Sequence, residues 1–129
     1  MHFFGWVHDG YVHKRRVSVL SDRCANLIPR DATVLDVGSG DGQLARLITD
    51  RRPDISIQAI DASVREGSAI PVEEFDGTSI PYGDDSFDVV MFVDVLHHTD
   101  DPTTLLSEAV RVSRRTVLIK DHTLQGSFA

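Results

Sequence analysis

The sequence predicts an α/β protein built on a doubly wound parallel sheet of about five strands, with helices on both faces. Three observations carry that expectation. Short β-branched runs alternate with stretches whose apolar residues recur at helical spacing. A glycine-rich turn joins the first strand to the helix after it. The run FDVVMFVDVL (87–96) is almost continuously apolar, as a strand covered on both faces must be.

The elements follow in order. Between Tyr11 and Ile28, the residues Val12, Val17, Leu20, Cys24, Leu27 and Ile28 recur at helical spacing, while Lys14, Arg15, Arg16, Asp22 and Arg23 take the other face. Pro29 and Asp31 close that helix. Thr33 to Val37 reads as the first strand, and Gly38-Ser39-Gly40-Asp41-Gly42 as the tight loop into a helix carrying Leu44, Leu47 and Ile48. Pro53 ends this helix, and Ile55 to Ile60 forms a second strand that stops at Asp61. The stretch from Ala62 to Asp85 is rich in Gly, Pro, Ser and acidic residues and leaves room for a short third strand around Ile70 to Phe75. Phe87 to Leu96 is the fourth strand. Asp101 and Pro102 open a helix through Val112, with the Asp as cap and the Pro in the first turn. A fifth strand, Thr116 to Lys120, follows. The chain divides into a helical segment over 1–30 that acts as lid or cap, a core over 31–122 and a tail over 123–129, all one domain.

Composition narrows the function. The 129 residues carry 13 Lys plus Arg against 20 Asp plus Glu, a net charge of −7. Hydrophobic residues make up 41 % and charged residues 26 %, which excludes a disordered chain. An acidic chain is a poor partner for nucleic acid or an anionic membrane, and a small ligand fits better. Cys24 is the single cysteine, so no internal disulfide or cysteine metal cage exists, as in a protein of a reducing compartment. No apolar run reaches the ~20 residues that span a bilayer, and no secretory leader pattern opens the chain. These features point to the cytoplasm.

The loop at 38–42 is the most informative feature. Alternating glycines let the backbone turn sharply and approach a ligand, and the helix beyond presents free N–H groups. A phosphate-binding loop of the Walker type needs a Lys, and none stands between Thr33 and Ala45. The dinucleotide pattern needs glycine where Gln43 stands, and Asp36 and Asp41 would face a pyrophosphate. Two carboxylates suit a ligand with an ammonium or sulfonium charge. Asp61, 23 residues after Gly38, ends the second strand, where the hydroxyls of a ribose can both donate to one carboxylate. Asp76, before Gly77, could accept from an exocyclic amine such as that of adenine. Asp36, Asp61 and Asp76 then form a row of acceptors along one sheet edge.

VLDVGSGDG (34–42), IQAID (57–61), FDGTSIPYGDDSFDVV (75–90) and VDVLHH (93–98) resemble the class I S-adenosylmethionine-dependent methyltransferases of the small-molecule, Rossmann-like type. The resemblance covers Thr33 to Lys120. It implies S-adenosyl-L-methionine as cofactor and a small-molecule methyl acceptor. It further implies that Gly38, Ser39, Gly40 and Gly42 line the methionine part, with Asp36 organising its amino group. Asp61 and Ala62 would serve the ribose, Asp76 and Gly77 the adenine, and the backbone at Val93 and Asp94 would close the site below the sulfonium. Two departures stand out. Only 14 residues separate Asp61 from Asp76, short for an intervening helix. The family's sheet has seven strands, whereas this chain ends soon after the fifth, so the expectation is a chain lacking the C-terminal strands, with strand five as an open edge inviting a homodimer.

In-line methyl transfer needs positioning first and a dedicated base only for some acceptors. His97, His98 and His122 are the base candidates, although packing or capping explains the His97-His98 pair better. The pair lacks metal-ligand spacing, and no metal is expected. Phe3, Phe4, Trp6 and Tyr11, with His8 and His13, form either a lid over the cofactor or the packing of the first helix. The competing readings are a non-catalytic adenosyl-ligand or assembly module, and an NAD-dependent oxidoreductase, which Gln43 and the acidic loop disfavour.

Overall fold

The computed structural model describes residues 2–121, and side chains from residue 15 onward. The elements are α1 (His2–Leu27), β1 (Thr33–Val37), α2 (Gln43–Arg51), β2 (Ser56–Asp61), β3 (Val72–Glu74), β4 (Phe87–Val93), a 3-10 turn at Leu96–His98, α3 (Pro102–Val112) and β5 (Ser113–Lys120). The five strands form one sheet in the order β3-β2-β1-β4-β5, every neighbouring pair parallel. This is the doubly wound arrangement the alternation of elements predicts. The order reverses at β1, and the C-terminal ends of β1 and β4 are where such sheets hold ligands.

The alternation of side chains along each strand sorts the core into two layers. Val34, Val89 and Met91 meet Cys24, Ala25 and Ile28 of the α1 end and Ile48 of α2 on one face. Leu35, Val37, Ile60, Val90 and Phe92 meet Leu105, Ala109 and Val112 of α3 on the other. Cys24 is a buried free thiol, its pKa raised by burial, and packs as a small apolar residue. Among the described residues, no helix is long and apolar enough to cross a membrane.

Polar side chains tie the layers at their ends. The Arg52 guanidinium donates to the carbonyls of Ala25 and Ile28 at 2.6 and 2.7 Å, satisfying the C-terminus of α1, and pairs with Asp54 at 2.8 Å. Asp88 accepts from the Thr33 N–H at 2.9 Å and from Arg114, joining the starts of β1, β4 and β5. Arg111 pairs with Glu108 and Asp84 and donates to the Ile80 carbonyl, pinning the long connection before β4 onto α3.

Three boundaries differ from the sequence expectation. Helix α1 starts at His2 rather than Tyr11; Gly5 and Gly10 interrupt its apolar spacing and cost a helix about 1 kcal/mol each, yet do not break it. Strand β4 stops at Val93 instead of running to Leu96, because Asp94 turns into a left-handed conformation with φ of 56°. Strand β5 starts at Ser113, directly after α3; Ser113, Arg114 and Arg115 look like a polar turn in sequence but belong to an edge strand, which tolerates exposed charges. The side chains of Phe3, Phe4, Trp6, His8, Tyr11 and His13, the proposed lid, lie outside the described residues, as do His122 and the 123–129 tail.

Candidate functional site

The site grows from the end of β1. Val37 hands over to Gly38, Gly40 and Gly42, with φ of 78°, 63° and 75°, values that a side chain makes costly. A Cβ on Gly38 would lie 2.5 Å from a methyl of Val95, and one on Gly42 would lie 2.9 Å from Ile70, so these two glycines serve close packing. Gly40 faces open space, with nothing within 4 Å of such a Cβ. The loop is anchored from β2: the N–H groups of Gly38 and Ser39 donate to the Ile60 carbonyl at 2.8 and 3.2 Å. Gly42 then leads into α2, whose N-terminus points back at the loop.

Beside this loop lies a cavity of about 330 Å³, bounded by Gly38 on the loop, by Asp61 at the end of β2 and Ala62 after it, and by Asp76, Gly77 and Thr78 after β3. Val37, Phe75, Val95 and Leu105 supply its apolar walls, and His98, Thr99, Asp100 and Asp101 its far rim. Four of the lining residues are Asp, and no Lys or Arg is among them.

Each carboxylate is held in place by its own donors. Asp61 accepts from the Gly40 N–H at 2.7 Å and from the Ser63 N–H at 3.1 Å, so it fixes the loop while facing the cavity. A carboxylate has about four acceptor positions, which leaves two for a ligand. Asp76 accepts from the Thr78 and Ser79 N–H groups at 2.8 and 2.7 Å through one oxygen, and these bonds hold it below the usual carboxylate range. Asp101 caps α3, accepting from the Thr104 N–H at 3.1 Å.

The expected row of three carboxylates is divided. Asp61 and Asp76 share the cavity, whereas Asp36 points to the α1–α2 side of the sheet and is only 2 % exposed. Burial pushes the Asp36 carboxyl up to about 7, the charge of Asp61 adds to this, and the Ser39 hydroxyl opposes it. Ser39 Oγ is itself buried and has no hydrogen-bond partner of good geometry among the described residues. An unsatisfied buried hydroxyl beside a disfavoured carboxylate, under a loop open at Gly40, fits a ligand bearing an ammonium group.

Val93 and Asp94 do not line the cavity. Val93 alternates onto the α1–α2 face and packs into that core layer, and the Asp94 carboxylate pairs with Arg16 at 3.2 Å and Lys120 at 3.4 Å. Val95 closes the cavity at that place, against Gly38. The sequence signal for it was weak, since it reads as one more residue of an apolar strand. His98, one of the base candidates, reaches the lining, and Thr99 and Asp100, which the sequence did not single out, join it because the turn after Asp94 brings them round.

With this geometry established, comparison with known proteins is informative. The sequence matches a family of methyltransferase domains over residues 35–119. A 27-O-demethylrifamycin SV methyltransferase of Amycolatopsis mediterranei is 28 % identical over 88 % of the chain, which spans 47 % of that protein. An uncharacterized methyltransferase of Mycobacterium sp. is 36 % identical over 67 % of the chain and is 36 % covered. The chain therefore spans half or less of the curated relatives it matches. Among solved structures, the YcgJ protein of Bacillus subtilis superposes with a TM-score of 0.70 at 22 % identity, over 88 % of this chain and 53 % of that one. A putative S-adenosyl-L-methionine-dependent methyltransferase of Methanococcus maripaludis gives 0.69 at 22 % identity, over 78 % and 53 %. These similarities share the Rossmann-like fold. The chain belongs to the methyltransferase-domain family.

Proposed function

We propose that the protein is an S-adenosylmethionine-dependent methyltransferase, or the cofactor-binding core of one, acting on a small organic acceptor. The observation that carries this is the cavity's charge: four Asp and no Lys or Arg among its lining residues. A pyrophosphate would meet four carboxylates and no Lys or Arg to offset them, which disfavours NAD, while a nucleoside with a cationic side arm meets acceptors.

The bound cofactor supplies a methyl group already activated on a sulfonium. The chain's residues bind and orient. Asp61 receives the two ribose hydroxyls through its unused lone pairs. Asp76 receives the adenine amine, with Phe75 and Leu105 supplying apolar walls to the base. Gly38 and Gly40 let the backbone approach the methionine arm. Asp36 acts from beneath the loop: an ammonium group nearby restores the charge that burial disfavours. Val95 closes the cavity against Gly38 and would limit how far bound groups can shift.

Equilibrium dialysis with labelled S-adenosylmethionine tests the reading. Saturable binding that unlabelled S-adenosylhomocysteine displaces is expected; no binding of either would refute it. We also infer that the outer edge of β5, where Ile119 is 48 % exposed, pairs with a second copy. Light scattering should then find a dimer, and a strict monomer at high concentration would contradict it. Cytoplasmic residence accords with the single free thiol.

A further inference from the structure

Four of the chain's 13 Lys and Arg residues line a second pocket. Arg15, Arg16, Val19, Leu20 and Arg23 form one stripe of α1, and Lys120 at the end of β5 completes the lining. The space is about 410 Å³, the size of a small-molecule site. No Asp or Glu is among its described lining residues, the reverse of the acidic cavity.

Two consecutive residues connect the two spaces. Val95 closes the acidic cavity against Gly38, while the Asp94 carboxylate is shared by Arg16 at 3.2 Å and Lys120 at 3.4 Å. That single carboxylate offsets only part of the charge of the four cations. Among the described residues, Arg15 and Arg23 have no hydrogen-bond or ion-pair partner. Cations gathered without matching acids repel one another, and an anion bound among them relieves that repulsion.

The size and chemistry of the stripe narrow the anion. Exposed charge pairs contribute little each, so apolar contact has to supply the remainder. Val19, 43 % exposed, stands among the cations, with Leu20 half-buried beside it. From Arg15 to Arg23 the helix rises about 12 Å, which suits one small anion better than the repeating phosphates of a nucleic acid. A polyanion would also face the chain's net charge of −7.

We propose that this pocket is a second binding site, for a small organic anion with an apolar body, an aromatic carboxylate being its simplest form. The carboxylate sits among Arg15, Arg23 and Lys120, and the ring lies against Val19 and Leu20. The site stands apart from the cofactor reading, since none of its lining residues lines the acidic cavity.

The test follows backbone ¹H–¹⁵N NMR of the whole chain during titration with 2-naphthoate and, separately, with its uncharged counterpart 2-naphthamide. Naphthoate should bind saturably with Kd below about 1 mM, shifting the amides around Val19 and Leu20, and the amide should bind at least about tenfold more weakly. Combining Arg15→Gln with Arg23→Gln should weaken naphthoate by about fivefold or more, as should raising the salt to about 0.5 M. The melting temperature of that variant should stay within about two degrees of the wild type, because neither side chain ties the fold together. No saturation by about 10 mM naphthoate, equal affinity for the amide, or an unchanged Kd in the double variant would overturn the proposal. Inorganic phosphate binding as tightly as naphthoate would overturn the role of the apolar body. A hexaglutamate peptide binding more tightly would overturn the small-molecule assignment in favour of an acidic protein segment. Titration with S-adenosylhomocysteine reads the other cavity, so its outcome leaves this test standing.

Discussion

The two halves of the sheet's C-terminal edge hold their carboxylates in opposite ways. On the β1–β2–β3 side, Asp61 and Asp76 are fixed by backbone N–H groups of Gly40, Ser63, Thr78 and Ser79. On the β4–β5 side, Asp94 is fixed by the side-chain cations of Arg16 and Lys120, and Asp121 by His97. Amide donors place a carboxylate without cancelling its charge, so the first half presents an anionic face to the cavity. Cations spend the charge on joining α1 to the sheet. The same residue type thus lines a cavity in one half and forms a structural tie in the other, and the donor decides which.

The largest expected effect that breaks this contrast comes from Gly38→Ala. Its φ of 78° and the 2.5 Å approach to Val95 leave the new methyl no place, and Val is stiff about χ1. Calorimetry should show S-adenosylhomocysteine affinity reduced by about 30-fold or more, with a lowered melting temperature. Adding Val95→Ala should recover part of the melting temperature by relieving the clash, while the backbone strain persists. Unchanged affinity in Gly38→Ala would show that the loop does not meet the ligand.

Next is Asp61→Asn, which keeps shape and an oxygen for the Gly40 N–H but removes the charge that the ribose hydroxyls would share. Hydrogen bonds to a charged group contribute about 1.5–3 kcal/mol, so affinity should fall by roughly 10- to 100-fold. A loss under about threefold would place the ribose elsewhere.

The buried Asp36 gives a pH signature. Its folded-state value of about 7 lies above the ordinary carboxylate value of 3.8 that the unfolded chain has, so the folded state binds more protons between the two. Its contribution to stability is complete below about pH 4 and is lost as pH rises through 7, on the order of 4 kcal/mol in total. Melting temperatures of the wild type should fall from pH 5 to 7.5 relative to those of Asp36→Asn, which lacks this slope. Parallel curves would show that Asp36 is not the titrating group. Because an ammonium ligand favours the charged form, S-adenosylhomocysteine binding near pH 6.5 should also release protons, visible as a buffer-dependent heat.

The smallest effect belongs to Asp94→Asn. Two partly exposed ion pairs contribute about 1 kcal/mol or less each, so the melting temperature should drop by a few degrees with cofactor affinity unchanged within about twofold. A tenfold loss of affinity would return Asp94 to the site.

Where local chemistry decided the structure, the sequence was readable. Thr33 to Val37, the glycine loop and the Asp101 cap with Pro102 at the first turn stand where their residue types require them. Asp61 and Asp76 were legible as cavity residues because a strand's C-terminal end in this architecture is itself a location. For Asp36 the strand end was legible but not the face its side chain takes, which is set by the alternation along β1 and its place between β2 and β4. The wall at Val95 depends on the left-handed turn at Asp94, which no sequence pattern announces. The contact between His97 and Asp121 joins two loops 24 residues apart, and only the parallel pairing of β4 and β5 brings their ends together.

On the proposed function, an acidic cavity held open by amide-bound carboxylates selects an adenosyl ligand with a cationic arm. Calorimetric titration of the wild-type chain with S-adenosylhomocysteine and with NAD, under one buffer, tests it most directly. One S-adenosylhomocysteine should bind per chain at micromolar affinity or better, and NAD should bind at least about 100-fold more weakly. NAD binding as tight as the adenosyl ligand, or no adenosyl binding at all, would contradict it.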